Sequence, residues 1–390
     1  LRFARGKAQT IRDGGAMMIQ RERVIQEFQE LTQIRSATHC ERRLADVLKA
    51  RLAGLGLEVA EDRAGEAFGG DCGNLVANLP GSAAGPTLLL SAHMDTVEPS
   101  SGVHPLLDGT VFRSAGDTIL GADDKAGIVA ILEALRVLSE RRLPHPPLQV
   151  IFSVAEEGGL HGIRHLDRSL LRADLGYVFD GEGEPGWITT AAPGQDRLEV
   201  VVHGRAAHAG LAPELGVNAI LVASEALIAM PLGRIDEETT ANVGMIQGGW
   251  ATNIVPDRVE LALEARSRDC GKLARQTGKM AESFHSAATA RGARAEVEVS
   301  RVYESFRLGE ETQVIHLARQ AAQDAGLNPR LVMTGGGSDA NFLNQYGVPS
   351  TVMGIGLGNP HTTGEFILVS SLEHTAALIL SLCQKAIESS

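Results

Sequence analysis

Cysteine is scarce in this 390-residue chain: four residues, at 40, 72, 270 and 383, with no C-x-x-C spacing. A disulfide framework is therefore not expected, and four free thiols in a reducing, cytoplasmic compartment are. No stretch approaches the ~18 consecutive apolar residues of a membrane helix. Positive charge is in deficit, with a net charge of −12. That argues against a nucleic-acid binder, which would carry a basic face, and against an anionic membrane surface. The first 18 residues hold Arg2, Arg5, Lys7 and Arg12 but no apolar core. They are no secretory signal and are expected to form a disordered extension, with Met17 or Met18 as candidate starts. Gly-x-Ser-x-Gly is missing, which removes support for a serine triad. There is no internal repeat and no low-complexity tract.

What is present is the composition of a globular protein, 44% hydrophobic and 22% charged, at a length that implies two domains. Helical periodicity runs from Ile19 to Ala53 and again over Ala126–Ser139. Between and after these lie buried-strand patterns at residues 74–78, 87–92, 148–155 and 175–179, and a β-like run at 118–122. Such alternation predicts an α/β domain with a mostly parallel sheet flanked by helices. Near Pro193 the order becomes β-α-β-β-α-β, that of a ferredoxin-like α+β fold. The α/β pattern returns after about Glu304. The expected organisation is a catalytic domain over 19–193 and 305–390, interrupted by an inserted domain over 194–304.

Five acidic or histidine positions stand out: His93 and Asp95, Asp123, Glu156 and Glu157, and Asp180, each at the end of such a run, and the later His361 in a loop. Strand ends in an α/β sheet converge on one crevice, and carboxylate oxygen with imidazole nitrogen suits divalent cations. Each position has an ordinary reading too. His93 could be a satisfied strand-end histidine. One of Asp123 and Asp124 could cap a helix, although only one can. Glu156-Glu157-Gly-Gly could be a solvated turn. The joint pattern favours one shared site. Arg266 could fork onto a substrate carboxylate or be a surface cation. Gly335-Gly336-Gly337-Ser338-Asp339 is similar to an anion-binding nest but lacks the Gly-Lys-Ser/Thr ending of a phosphate loop. His161, His165 and His374 are read as structural.

The segments Ser-Ala-His93-Met-Asp95-Thr-Val, Leu-Gly-Ala-Asp123-Asp-Lys-Ala-Gly, Ala-Glu156-Glu157-Gly-Gly, Phe-Asp180-Gly and Asn-Pro-His361-Thr-Thr resemble those of the co-catalytic dizinc peptidases. That family contains peptidase T, carboxypeptidases, aminoacylases and succinyl-diaminopimelate desuccinylase. Asp-Asp-Lys-Ala-Gly and Gly-Gly-Gly-Ser-Asp bring the chain nearest the peptidase T-like branch. The resemblance implies that His93, Asp123 and Asp180 hold one cation and that Asp123, Glu157 and His361 hold another, with Asp123 bridging. It implies that Asp95 orients His93, that Glu156 is the general base, and that His208, Asn253 and Arg266 contact substrate. The cofactors it implies are two divalent ions, zinc above manganese or cobalt. The implied partners are a small peptide and, through the inserted lid, a second copy of the chain.

The function expected from these residues is that of a metallopeptidase of the aminopeptidase or tripeptidase kind, in which Glu156 draws a proton from a cation-activated water. An N-acyl-amino-acid amidohydrolase or metallocarboxypeptidase would use the same cations, with Arg266 reading a carboxylate. A non-catalytic peptide- or metal-binding relative is the alternative from another class.

Overall fold

The computed structural model of the chain describes residues 19–388. The expected N-terminal extension at 1–18 lies outside them. The chain divides into two compact units. The first holds the described residues up to Thr190, Leu308–Val332, and those from Ser338 on; the second holds Ala191–Arg307 and Met333–Gly337.

The first unit is built on a sheet whose strands lie in the order Glu58–Glu61, Leu75–Leu79, Leu148–Ser153, Leu88–His93, Leu175–Gly181, Ser350–Gly354 and Trp187–Ala192. The middle four are parallel: Leu88–His93 pairs in parallel with the strands on both its sides, and Ser350–Gly354 with Leu175–Gly181. The flanking pairings are antiparallel, so the parallel character belongs to the centre. Leu88–His93 and Leu148–Ser153 are buried along their whole length, which explains their unbroken apolar runs. The helix Ala122–Arg141 packs against Leu88–His93 and Leu175–Gly181, and is itself covered by Arg21–Thr32 and Val369–Glu388. Being sandwiched, it buries residues on all sides, from Ala126 to Leu138.

The run at 118–122 is not a strand. The backbone N–H groups of Leu120, Gly121 and Asp123 donate to the carboxylate of Glu365 rather than to a neighbouring strand. Apolar composition there reflects burial of a loop.

The second unit is an antiparallel sheet in the order Gly233–Arg234, Thr239–Gly248, Arg258–Ser267, Gly194–His203, Arg294–Tyr303. Helices Ala219–Ala229 and Cys270–Arg291 pack on it. Its strands alternate buried and open positions, as a sheet covered on one face requires. The core is formed by Leu198, Val200, Val222, Leu263, Met280 and Phe284 among others. Apart from the two-residue strand Gly233–Arg234, the order is β-α-β-β-α-β, the ferredoxin-like one.

Candidate metal centre

Five segments of the first unit deliver the expected residues to one place. His93 is the last residue of its strand and Asp180 the next to last of the adjacent one. Asp123 opens the long helix, where it and Asp124 depart from helical geometry; the peptide between them is cis. Glu156 and Glu157 follow the end of Leu148–Ser153, and His361 lies in a loop after Leu357–Gly358.

His93 Nε2 is 3.0 Å from Asp123 Oδ1 and 3.7 Å from Asp180 Oδ1. On the other side, His361 Nε2 is 3.3 Å from Asp123 Oδ2 and 2.9 Å from Glu157 Oε1. His93, Asp123 and Asp180 form one group of donors lying within 4.8 Å of one another, and Asp123, Glu157 and His361 form a second. Asp123 belongs to both, with one carboxylate oxygen turned to each imidazole.

The electrostatics explain what such a cluster needs. Burial pushes Asp180 up to about 7. Burial would also raise Asp123, but hydrogen bonds with His361 and His93 hold it below the usual carboxylate range. Burial would lower His93, yet Asp123, Asp180 and Asp95 hold it well above its usual value. Hydrogen bonds with Asp123 and Glu157 lift His361 to about 10. Left to themselves these groups share protons to tolerate their crowding. Divalent cations would do the same while leaving imidazoles neutral and carboxylates charged, as ligands must be. Two mixed nitrogen–oxygen sets joined by one carboxylate therefore fit a pair of such ions.

The surrounding carboxylates act on backbone. His93 Nδ1 lies 2.9 Å from the Asp95 carbonyl and 3.4 Å from its carboxylate. Assigning the proton to Nδ1 leaves Nε2 as the free donor atom. Asp95's carboxylate, expected to orient His93, stands beside that ring and also holds backbone. Its Oδ1 accepts from Glu156 N (2.9 Å), and its Oδ2 from Glu157 N (3.2 Å) and Thr38 Oγ1 (2.8 Å). Glu41 Oε1 accepts from Ala155 N at 3.0 Å, so three successive N–H groups of the Glu156-Glu157 turn end on buried carboxylates. Ala155 has φ +48°, a left-handed conformation sustained by those bonds.

Asp124 takes the helix-capping part: Oδ1 accepts from Gly127 N and Oδ2 from His93 N, each at 3.1 Å. Each aspartate thus fills one of the two readings, Asp124 the cap and Asp123 the cluster. Gly127 is needed for close approach, since a Cβ there would lie 2.3 Å from the Phe179 carbonyl. Glu156 makes no donor group of its own. Burial, then Asp180, pushes its carboxyl well above the usual range, as suits a residue that exchanges a proton.

Sequence reasoning missed Glu41, Asp339 and Glu365. Asp339 is buried, accepts from Ser153 Oγ, and leaves Oδ1 unpartnered. It comes from the glycine-rich segment, where only an anion-nest reading was available. His161 stacks on Phe68 and His165 on His161, and neither is in a donor group. A separate triplet, Glu41, Asp71 and Cys72, also gathers within 4.8 Å, but Asp71 is already taken by Arg42 N.

In the second unit, His208 Nδ1 accepts from Gly210 N and Leu211 N, both at 3.1 Å. That assigns its proton to Nε2. Asn253 sits beside it, its carbonyl accepting from Ala209 N. Arg266 is not with them. Its Nε and Nη2 are bound by Glu264 of the same strand at 3.0 and 3.1 Å.

Comparison with known proteins comes down on the same chemistry. The profile of Peptidase family M20/M25/M40 matches residues 89–385. The Bacillus subtilis protein YqjE is 42% identical over 369 residues, covering 95% of this chain and all of that one. Aminopeptidase PepT from Bacillus cereus superposes with a TM-score of 0.89 at 42% identity, covering 95% of this chain and 99% of its own. A tripeptidase from Staphylococcus aureus gives 0.92 at 39%, covering 95% and 100%.

Proposed function

Because the chain belongs to the M20/M25/M40 peptidase family, we propose that it is a two-cation peptidase acting on small peptides, of the tripeptidase kind. The likeness to an aminopeptidase and a tripeptidase supports that reading. The observation that carries it is the Asp123 carboxylate lying between His93 and His361, each imidazole with a further carboxylate beside it.

His93, Asp123 and Asp180 would hold one cation and Asp123, Glu157 and His361 the other; the nitrogen–oxygen donors suit zinc, with manganese or cobalt as alternatives. Bound there, such ions supply Lewis acidity, lowering the pKa of a water and polarising the scissile carbonyl. A carboxylate oxygen of Glu156 takes the proton of the attacking water and then gives it to the leaving amine nitrogen. Asp95 keeps Glu156 aimed by gripping its backbone N–H, and the Nδ1–H bond to the Asp95 carbonyl fixes the His93 ring. His208 is proposed to donate from Nε2 to the carbonyl oxygen as charge develops on it, and Asn253 to bind substrate beside it. Arg266 is proposed to hold a substrate terminus, once it exchanges Glu264 for that group.

The second unit is also proposed to mediate dimerisation. Ile228, Met245, Ile246 and Trp250 are exposed there, Ile228 at 86% and Trp250 at 82%, and a second copy that covered them would bury apolar surface. A cytoplasmic location is proposed from the four free thiols. Among the described residues no helix is long and apolar enough to cross a membrane.

The test is turnover of tripeptides with free and blocked N-termini after chelation and after adding back zinc, manganese or cobalt. Cation-dependent cleavage of the free peptides is expected. Cleavage of N-acylated substrates alone would replace this reading with an amidohydrolase, and no turnover at full cation occupancy would remove catalysis.

A further inference from the structure

Glu365 is 1% exposed, yet its carboxylate belongs to neither donor group. Its Oε2 accepts from Leu120 N and Gly121 N, both at 2.8 Å, and its Oε1 from Asp123 N at 2.9 Å. One of the three N–H groups is that of the residue shared by both donor groups. We propose that Glu365 is the positioning residue of the cation pair, clamping the Asp123 loop and the His361 loop together so that their ligands meet at fixed spacing. The proposal rests on the two-cation reading above.

The strands beside the two loops are paired, Phe366–Leu368 with Val111–Arg113, but that pairing stops short of the segments that carry Asp123 and His361. The 118–122 segment has no strand partner, and His361 stands half exposed with φ +60°, next to Asn359 at +53°. Within its own loop the chain is braced: Asn359 Nδ2 donates to Gly364 O (3.3 Å), Thr362 Oγ1 to Asn359 O (2.9 Å), and Glu365 N to Thr362 O (3.1 Å). That makes residues 359–365 a stiff turn, with His361 near its tip and Glu365 at its buried end. Fixing Glu365 against three N–H groups at the head of the long helix therefore fixes where His361 stands relative to Asp123.

A carboxylate suits this task as an amide would not. It accepts at both oxygens and donates at neither. Glutamine would turn an NH2 group toward at least one of three buried N–H donors and leave it unsatisfied. Groups that hold metal ligands in place commonly matter nearly as much as the ligands themselves.

The test uses the full chain, stripped with a chelator and titrated with Mn(II) by calorimetry, as wild type, Glu365→Gln and Glu365→Asp. Thermal melts of the stripped proteins show that each is folded. Wild type is expected to take two equivalents. Glu365→Gln is expected to bind them about ten- to hundredfold more weakly, and Glu365→Asp, shorter by one methylene but still acceptor-only, to fall between. Wild-type affinities in both variants would overturn the proposal, as would a lowered melting temperature with affinity intact, since Glu365 would then serve stability alone. Fewer than two equivalents in wild type would instead bring down the two-cation reading, and this proposal with it.

Discussion

Glu156 and Glu41 are carboxyls with raised pKa values, the first half-buried and the second fully buried, but they predict different behaviour. Glu156 makes no part of either donor group, and its backbone, which Asp95 grips, survives substitution. Glu156→Gln is expected to keep two cations by metal analysis while kcat falls at least ~10²-fold; retained turnover at full occupancy would remove it as the base. Glu41 acts on stability. Burial, then the nearby Asp95 charge, lifts it from 4.5 to about 7. The folded state therefore holds a proton that the unfolded chain releases. The associated stability is fully present below about 4.5 and is lost as pH rises toward 7, by about 3 kcal/mol from linkage. Glu41→Gln is neutral throughout and can keep the bond to Ala155 N. Melts of stripped protein at pH 4.5 and 8 are expected to show the variant gaining on wild type by up to that amount; equal differences at both pH values would show that Glu41 does not titrate in this range.

At the scale of elements, the head of the helix Ala122–Arg141 is where strand, helix and ligand loop touch most closely. Gly127→Ala puts a methyl 2.3 Å from the Phe179 carbonyl and 2.6 Å from Asp124 Oδ1, pressing on the strand that carries Asp180 and on the group that accepts from His93 N. A loss of about 1–3 kcal/mol is expected, with weakened cation binding. Gly54→Ala, at the end of another helix with nothing within 4 Å, is expected to be neutral or to stabilise by up to about 1 kcal/mol. Denaturant melts of the pair check both. These contacts also mark where sequence reading stops. The ligands were legible because chemistry restricts them to a few residue types at strand ends, and the strands because burial on both faces writes a continuous apolar run. The 118–122 segment has that same run, but the N–H groups of Leu120 and Gly121 go to Glu365, 244 residues or more away in sequence. Composition cannot separate a buried loop from a buried strand when the deciding acceptor is so distant. For the same reason Glu365, Glu41 and Asp339, which act through backbone or a serine hydroxyl, left no pattern around them, and Asp95's grip on the Glu156-Glu157 turn could not be told from a bond to His93.

For the whole molecule, the second unit sets the terms. Residues 204–209 run antiparallel beside 253–257, which puts His208 and Asn253 beyond the Arg258 end of the strand Arg258–Ser267. Arg266 is eight residues further along that extended strand, about 26 Å at 3.3 Å per residue. An extended tripeptide spans only about 10 Å, so His208 and Arg266 of one unit cannot both touch the same small substrate. If both contact substrate, as proposed, they serve different active sites, and in a symmetric dimer each site would take one of them from either chain. The consequence is measurable by mixing. On the reading that His208 is the residue a chain lends to its partner's site, His208→Ala would spoil what it lends and Glu156→Ala would spoil its own site. Co-refolded in equal amounts, half of the dimers would be mixed. In each of these, the site built from the intact Glu156 of one chain and the intact His208 of the other would be whole. Two inactive variants together should then recover about a quarter of wild-type sites, read as turnover at saturating tripeptide and cation. Recovery should follow dimer content on a sizing column. A mixture no more active than its parents would show that His208 works within its own chain or not at all.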